Sequence, residues 1–445
     1  MSGPFALQAN KIRVIMVTHT WCEQGLGMTN SAQLNSKTHS WPEKHWHWPI
    51  ELSHFHGVRR GGFIFTGGQA DLDHNGNVRN SGNLEQQTLN TLQYIESILV
   101  DFNAALNDLV KLVIYFTGND ADERQLLDLI AGKLKKLSSP VVSTICLPAL
   151  CYPGMRVEIE AIAIDPSQRR KNNPQFKRHH TLPHLNPQFS HAVRCNNLIF
   201  TSDMSAVQPN GELHAPGDLC EQTRYMMTQL AQVLTLFNAT PANVLKLNVF
   251  YLGDGTAESW TEPAGIRAKF FSDPGPAATG IAVTGFATPG LMTKIAVTAG
   301  ALQEKQDNAQ TTTHYSWPNG HWNWTTPLPY KHGNKFGQMI HLGGQVALDS
   351  NANVLYKNDM VKQTEIALEN TEKILHDLGA TLNDVVKVTA FYQGNADALA
   401  LHENLVIRSN AFEPPGPATS GIPVPHLVYE GMVIEIEVIA VVDAV

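Results

Sequence analysis

The stretch GMRVEIEAIAI at residues 154–164 returns as GLMTKIAVTAG at 290–300 and as GMVIEIEVIAV at 431–441. Each copy follows a Pro-containing segment. In the first, Glu158 and Glu160 alternate against Val157, Ile159 and Ala161, the period of a half-buried strand. Upstream, Lys111, Lys246 and Lys387 open the β-rich runs KLVIYF, KLNVFY and KVTAFY, each 24 residues after a Gln-Thr pair beginning at Gln87, Gln222 or Gln363. Those pairs lie 18 residues after Gln69, Met204 and Gln345, which end the segments FTGGQ, FTSDM and HLGGQ. Spacing that holds through three copies is the mark of an internal repeat. The chain therefore reads as an arm, 1–36, outside the pattern, followed by units at 37–166, 177–303 and 313–445. Polar linkers (PSQRRKNNPQFK and LQEKQDNAQTTT) separate the units.

Within a unit the elements are legible. Phe63–Thr66, Leu198–Thr201 and Met339–Leu342 read as strands after a turn. From Gln87 to Phe102, apolar residues recur at three- and four-residue steps, which predicts an amphipathic helix, repeated from Gln363 to Leu378. A second helix is expected near Glu123 to Leu137, before the closing strand. Helices layered on strands give an α+β class. At 445 residues, 43% hydrophobic and 16% charged, the chain can bury a core in each unit. Its net charge of −8 and the absence of a long basic run argue against nucleic acid as a partner. Five cysteines without a CxxC pair suggest neither a disulfide framework nor a zinc knuckle. The sequence has no apolar run of membrane-spanning length and no signal-peptide pattern, so a cytoplasmic location away from membranes is expected.

The order of strand, TSGQ-like turn, Gln-Thr-led helix, Lys-led strand, GPA-like turn and EIE tail resembles the YjgF/RidA family of reactive-intermediate imine/enamine deaminases, three times over. The resemblance implies chorismate-mutase-like units forming a single-chain pseudo-trimer, with a central β-barrel, outer helices and a ligand pocket between each pair of units. It also implies which residues matter. The family's carboxylate-gripping arginine falls on Val142, Ala278 and Thr419, so it is missing from all three units. The water-activating glutamate matches Glu158 and Glu435, whereas the second unit has Lys294. The pocket tyrosine aligns with His54, Phe189 and Tyr330, and the turn serine with Gly67, Ser202 and Gly343. Unequal pockets follow, with units 1 and 3 carrying the reaction and unit 2 closing the ring.

Histidines recur as well. His56, His191 and His332 hold one position, where the family usually has Gln, each 11 residues after His45, His180 or His321. Units 1 and 3 add the frame W-P-x-x-H-W-x-W, with Trp41, Trp46 and Trp48 matching Trp317, Trp322 and Trp324. Unit 2 lacks the frame and has His184. A neutral imidazole can move a proton or bind a metal, and it can equally serve as a backbone-bonded core group. Two histidines with Glu158 would compose a two-His-one-carboxylate set, yet neither a metal nor a cofactor is expected. The tryptophans read either as packing or as a stacking wall for a planar substrate. Arg59, Arg194 and Lys335 coincide in the repeat, as solvated charges or as substitutes for the missing arginine.

The expected function is hydrolytic deamination of an imine or enamine, releasing ammonia from a planar unsaturated amino acid such as a 2-aminomuconate-type compound of aromatic degradation. Glu158, Glu435, His56 and His332 are the candidate catalytic groups. His45, His321, Trp46, Trp322, Arg59, Lys335, Tyr330 and His191 are the candidate substrate-binding groups. The alternatives are a non-catalytic small-molecule-binding scaffold, and cyclic-amide hydrolysis on the same architecture, for which no serine–lysine pair recurs. The ribonuclease activity sometimes attached to the family would need a basic face. Further association of whole pseudo-trimers is left open.

Overall fold

A computed structural model of the chain describes residues 38–168, 173–183, 186–301 and 312–443. The arm at 1–36 and His184 lie outside the described residues. Each unit contributes one six-stranded sheet with two helices packed on it. The helices are α1 (Leu84–Asp101) and α2 (Asp120–Leu134), α3 (Leu219–Thr235) and α4 (Glu258–Ala268), then α5 (Met360–Asp377) and α6 (Ala398–Asn410). The tail strands Val157–Ile164, Thr293–Gly300 and Ile434–Val441 lie inside their sheets. Each pairs antiparallel with both the hairpin strand and the Lys-led strand. The tail that defines the repeat is thus also the strand that ties each unit together.

The Gln-Thr pair has a structural explanation. Asn83, Asp218 and Asp359 cap α1, α3 and α5, each accepting from a backbone N–H three residues on. One turn inside, the buried Gln87 amide donates to Gly154 O at 2.8 Å and accepts from Arg156 N at 2.7 Å. Gln222 does the same with Gly290 O and Met292 N, and Gln363 with Gly431 O and Val433 N. The neighbouring Thr88, Thr223 and Thr364 hydroxyls donate to the carbonyl four residues back. These three glycines have φ of +84°, +83° and +85°, a backbone region that admits glycine without strain. Each helix is therefore stapled to the turn that launches its tail strand by two hydrogen bonds, worth about 1 kcal/mol apiece when buried.

The three sheets stand around a central cavity lined by Lys111, Lys246 and Lys387 with Glu160 and Glu437. Among the described residues they remain three sheets rather than one closed hydrogen-bonded barrel. They abut through short matched contacts. Gly68 N donates to Thr419 O, Asp203 N to Val142 O and Gly344 N to Ala278 O, all at 3.1 Å. The acceptors are the three positions where the family arginine is missing. A Cβ at Gly67 would collide with Thr419 O, and one at Gly343 with Ala278 O, so glycine there permits the close approach of units. The contacts run in a ring: unit 1 on unit 3, unit 2 on unit 1, unit 3 on unit 2. No helix among the described residues is long and apolar enough to cross a membrane.

Candidate active site

Each junction between units holds a pocket, and the three differ in chemistry. Between units 3 and 2, a pocket is lined by Glu435, Trp322, Trp324 and Tyr330 on one side and by Tyr251, Trp260 and Arg267 on the other. The pocket between units 1 and 3 is smaller and joins Glu158, Trp46, Trp48 and Cys151 to Leu401 and Leu405 of α6. Glu158 and Glu435 are each 5% exposed, and burial pushes each carboxyl up to about 8. The adjacent Glu160 adds to the rise at Glu158, with Lys387 opposing it. At Glu435, Lys246 opposes the rise and Glu437 adds to it. Both acids are therefore largely protonated at neutral pH.

What makes room for these carboxyls is a glycine. A Cβ at Gly68 would run into Glu158 Oε1, and one at Gly344 into Glu435 Oε1. In unit 2 the corresponding residue is Asp203, and the glutamate is Lys294. The third junction accordingly carries a buried ion pair: Lys294 Nζ lies 2.8 Å from Glu123 Oε1 of α2 and donates to Thr144 O at 2.9 Å. Burial would lower the lysine, but the carboxylates of Glu123 and Asp203 together outweigh that and hold it above its ordinary value. Asp203, raised by burial, accepts from Thr144 N. The glycine–glutamate and aspartate–lysine pairs are exchanged together, so this pocket has no carboxylic acid poised near neutral pH on its tail strand.

The histidines sit behind the tryptophans. His56 Nε2 donates to Trp46 O at 3.0 Å, and His332 Nε2 to Trp322 O at 2.9 Å. A carbonyl can only accept, so both rings carry their proton on Nε2. Trp48 stacks on His56 at 4.8 Å and Trp324 on His332 at 5.2 Å, while Trp41 and Trp317 meet the same rings edge-on. His45 and His321 complete each cage, donating from Nε2 to the Gln69 and Gln345 amide oxygens. Burial keeps all four histidines below their usual range, hence neutral. Neither His56 nor His332 lines a glutamate pocket. The outer faces of Trp46 and Trp322 do.

Unit 2 lacks this cage. His191 Nδ1 accepts from His179 N and lines the third pocket, while His180 stacks on His179. Arg59 lies over the Phe102 ring with Asp165 at 3.9 Å, and Lys335 Nζ reaches Leu378 O, so both are held at helix ends away from the pockets. His54, aligned with the pocket tyrosine, contacts Pro417 O through Nδ1. Among the described residues no three His, Cys, Asp or Glu side chains converge so as to hold a metal ion.

Two functional candidates escaped the sequence reading. Arg267 and Arg408 are buried and occupy one position of the repeat, ten residues before Ala277 and Ala418; unit 1 has Ala131 there. They stand in the two units whose walls face a glutamate. Arg408 Nη1 donates to Thr419 Oγ1 at 2.6 Å and its Nε to Asn404 Oδ1 at 3.0 Å. Arg267 Nε and Nη1 have no hydrogen-bond partner. The recurrence of Arg in only these two units was the available signal.

A family model described as Endoribonuclease L-PSP matches residues 50–165, 181–301 and 325–442. A RutC family protein of Pyrococcus abyssi is 35% identical over 112 residues, 25% of this chain and 85% of its own length. A 2-iminobutanoate/2-iminopropanoate deaminase of Dermatophagoides farinae is 28% identical over 125 residues, 27% of this chain and 94% of its own. One from Mus musculus is 32% identical over 113 residues, 25% of this chain and 81% of its own. A chorismatase crystal structure superimposes with a TM-score of 0.51 at 12% identity, covering 75% of this chain and 93% of its own, a likeness of fold. Matched three times along its length, the chain belongs to the Endoribonuclease L-PSP family, also called YjgF/RidA, with three units fused into one polypeptide.

Proposed function

We propose that the protein is a hydrolytic imine or enamine deaminase working at the two glutamate pockets. The observation that carries this reading is the pair of buried carboxyls, Glu158 and Glu435, raised to about 8 in pockets walled by tryptophan. A protonated carboxyl gives its proton to the imine nitrogen, or to the enamine carbon, and the resulting iminium is open to water. The carboxylate then takes a proton from water as its oxygen bonds to the iminium carbon. Returned to nitrogen, that proton makes ammonia the leaving group. The C–N bond breaks, the carboxylate takes the hydroxyl proton back, and the carbonyl forms. One group with a pKa near the working pH serves each transfer. The sum is imine plus water to carbonyl plus ammonia, with no redox partner. The deaminases among the relatives support the reaction class.

The caged histidines enter this reading as supports for the tryptophan wall, since neutral rings donating to backbone carbonyls have no proton to spare for substrate. A planar unsaturated substrate fits such a wall by stacking. The test is ammonia release from a panel of enamines and imines by the wild type and by Glu158→Gln/Glu435→Gln. The expected result is loss of turnover in the double variant with the fold intact. Unchanged turnover would overturn the assignment.

A further inference from the structure

We infer that the pocket between units 3 and 2 takes a monocarboxylate with a bulky apolar, preferably aromatic, side chain, and that Arg267 grips its carboxylate. The inference rests on Glu435 as the acid–base group of that pocket and adds the substrate's other contacts. Where the family arginine is missing, at Ala278, the strand brings Thr279 and Gly280 to the pocket but no cation. Arg267 comes to the same place from α4, since it lines the pocket together with Ala278, Tyr330 and Glu435. It is 5% exposed, and although the Tyr330 hydroxyl lies beside it, Nε and Nη1 make no hydrogen bond of good geometry. A buried guanidinium with two idle donors is costly unless an anion completes it. Its planar fork suits a carboxylate held by two parallel bonds.

The pocket between units 1 and 3 supplies the contrast. Arg408 holds the equivalent position of the repeat but does not line that smaller pocket; its Nε and Nη1 are spent on Asn404 and Thr419, and Nη2 alone is unpartnered. Thr419, in the family arginine's position, locks Arg408, and Ala278 leaves Arg267 free to turn to a ligand. Among the described residues, Arg267 is the single cation lining the larger of these two pockets, which fits one carboxylate. Tyr251, Trp260, Trp322 and Trp324 leave apolar and aromatic surface for the rest of the molecule.

Phenylpyruvate, a stable 2-oxo acid, serves as probe by calorimetric titration of the full chain, with phenylpyruvamide as its neutral counterpart. The acid should bind about tenfold to a hundredfold more tightly than the amide. Arg267→Met should remove that preference and Arg267→Lys restore part of it. Should Arg267→Met fail to fold, the wild-type comparison of acid with amide, together with Arg267→Lys, still decides. Equal affinity for acid and amide, or a preference that survives in Arg267→Met, overturns the arginine assignment. Tighter binding of 2-oxoadipate than of phenylpyruvate overturns the monocarboxylate, aromatic part. Glu435→Gln should still bind phenylpyruvate while losing its share of ammonia release. Loss of turnover without loss of binding keeps failure of the acid–base reading separable from failure of this one.

Discussion

The junction of units 3 and 2 and that of units 2 and 1 are built from the same strands and helices, yet one presents a lone buried acid and the other a buried ion pair. At the first, Gly344 clears space for Glu435, and an arginine on the facing helix keeps two donors idle. At the second, Asp203 replaces the glycine, Lys294 replaces the glutamate, and Glu123 on the facing helix satisfies the lysine. An acid left alone in a low-dielectric pocket holds its proton to higher pH, whereas a lysine that finds a carboxylate within the protein stays charged. The comparison shows how a three-unit chain can keep its architecture at every junction while changing the ionisable groups that each presents.

The largest test of this contrast is at the acids themselves. Glu435→Gln should lower turnover by about 10²–10⁴-fold at its own pocket, and Glu158→Gln should remove what remains. Gly344→Ala offers a second route to the same loss without touching the acid, because the added methyl displaces the Glu435 carboxyl. Steady-state ammonia release on each variant is the measurement, and a Gly344→Ala enzyme with full activity would break the geometry proposed here. A stability test addresses the other junction. Lys294→Met leaves Glu123 buried without its partner and should cost about 3–5 kcal/mol, whereas Lys294→Met/Glu123→Leu should recover most of it. Thermal unfolding reads both, and turnover at the other pockets should persist in the double variant.

The pH dependence differs between junctions for the same reason. Glu158 and Glu435 have folded-state pKa values near 8, above the ordinary carboxyl value, so the folded state holds protons that the unfolded chain releases. Their contribution is fully present below about 4.5 and is lost as pH rises through 8. Glu158→Gln/Glu435→Gln, with nothing to ionise, should therefore be more stable than wild type at pH 9 by on the order of a few kcal/mol. Turnover that begins with proton donation should likewise fall above pH 8. The caged histidines act at the opposite end. Their lowered pKa values mean that stability present above about 6.5 is lost as acid forces protons onto buried rings.

Much of this was legible in the sequence because it is local. The Gln-Thr pairs, the tail glycines and the strand alternation each act within one unit, so their spacing survives in all three. Expected strands at Phe63–Thr66, Leu198–Thr201 and Met339–Leu342 coincide with those observed. Helices start about three residues earlier than the Gln-Thr pairs indicated, just after the Asn83 and Asp359 caps, since the pair sits one turn inside and the buried Leu84 and Met360 precede it. The arginines were not legible, because what they face belongs to the next unit. Neither was the orientation of the histidines, which depends on three tryptophans closing around each ring. The edge-to-edge arrangement of three sheets, rather than a continuous barrel, likewise depends on contacts between units.

The smallest expected effect concerns those rings and sharpens the comparison of catalytic with supporting groups. His56→Gln restores the residue usual in the family at that position and keeps a side-chain N–H able to reach Trp46 O. It loses the stacking on Trp48 and the edge contacts of Trp41 and Trp46. Aromatic contacts of this kind are worth about 0.5–1.5 kcal/mol each beyond the area they bury, so a modest fall in thermal stability is expected. Ammonia release at the unit 1 pocket should change by no more than a few-fold, through slackening of the Trp46 and Trp48 wall, with its pH profile unmoved. That outcome separates support from proton transfer: a histidine that itself passed protons to substrate would take the activity with it, and the pH profile would shift.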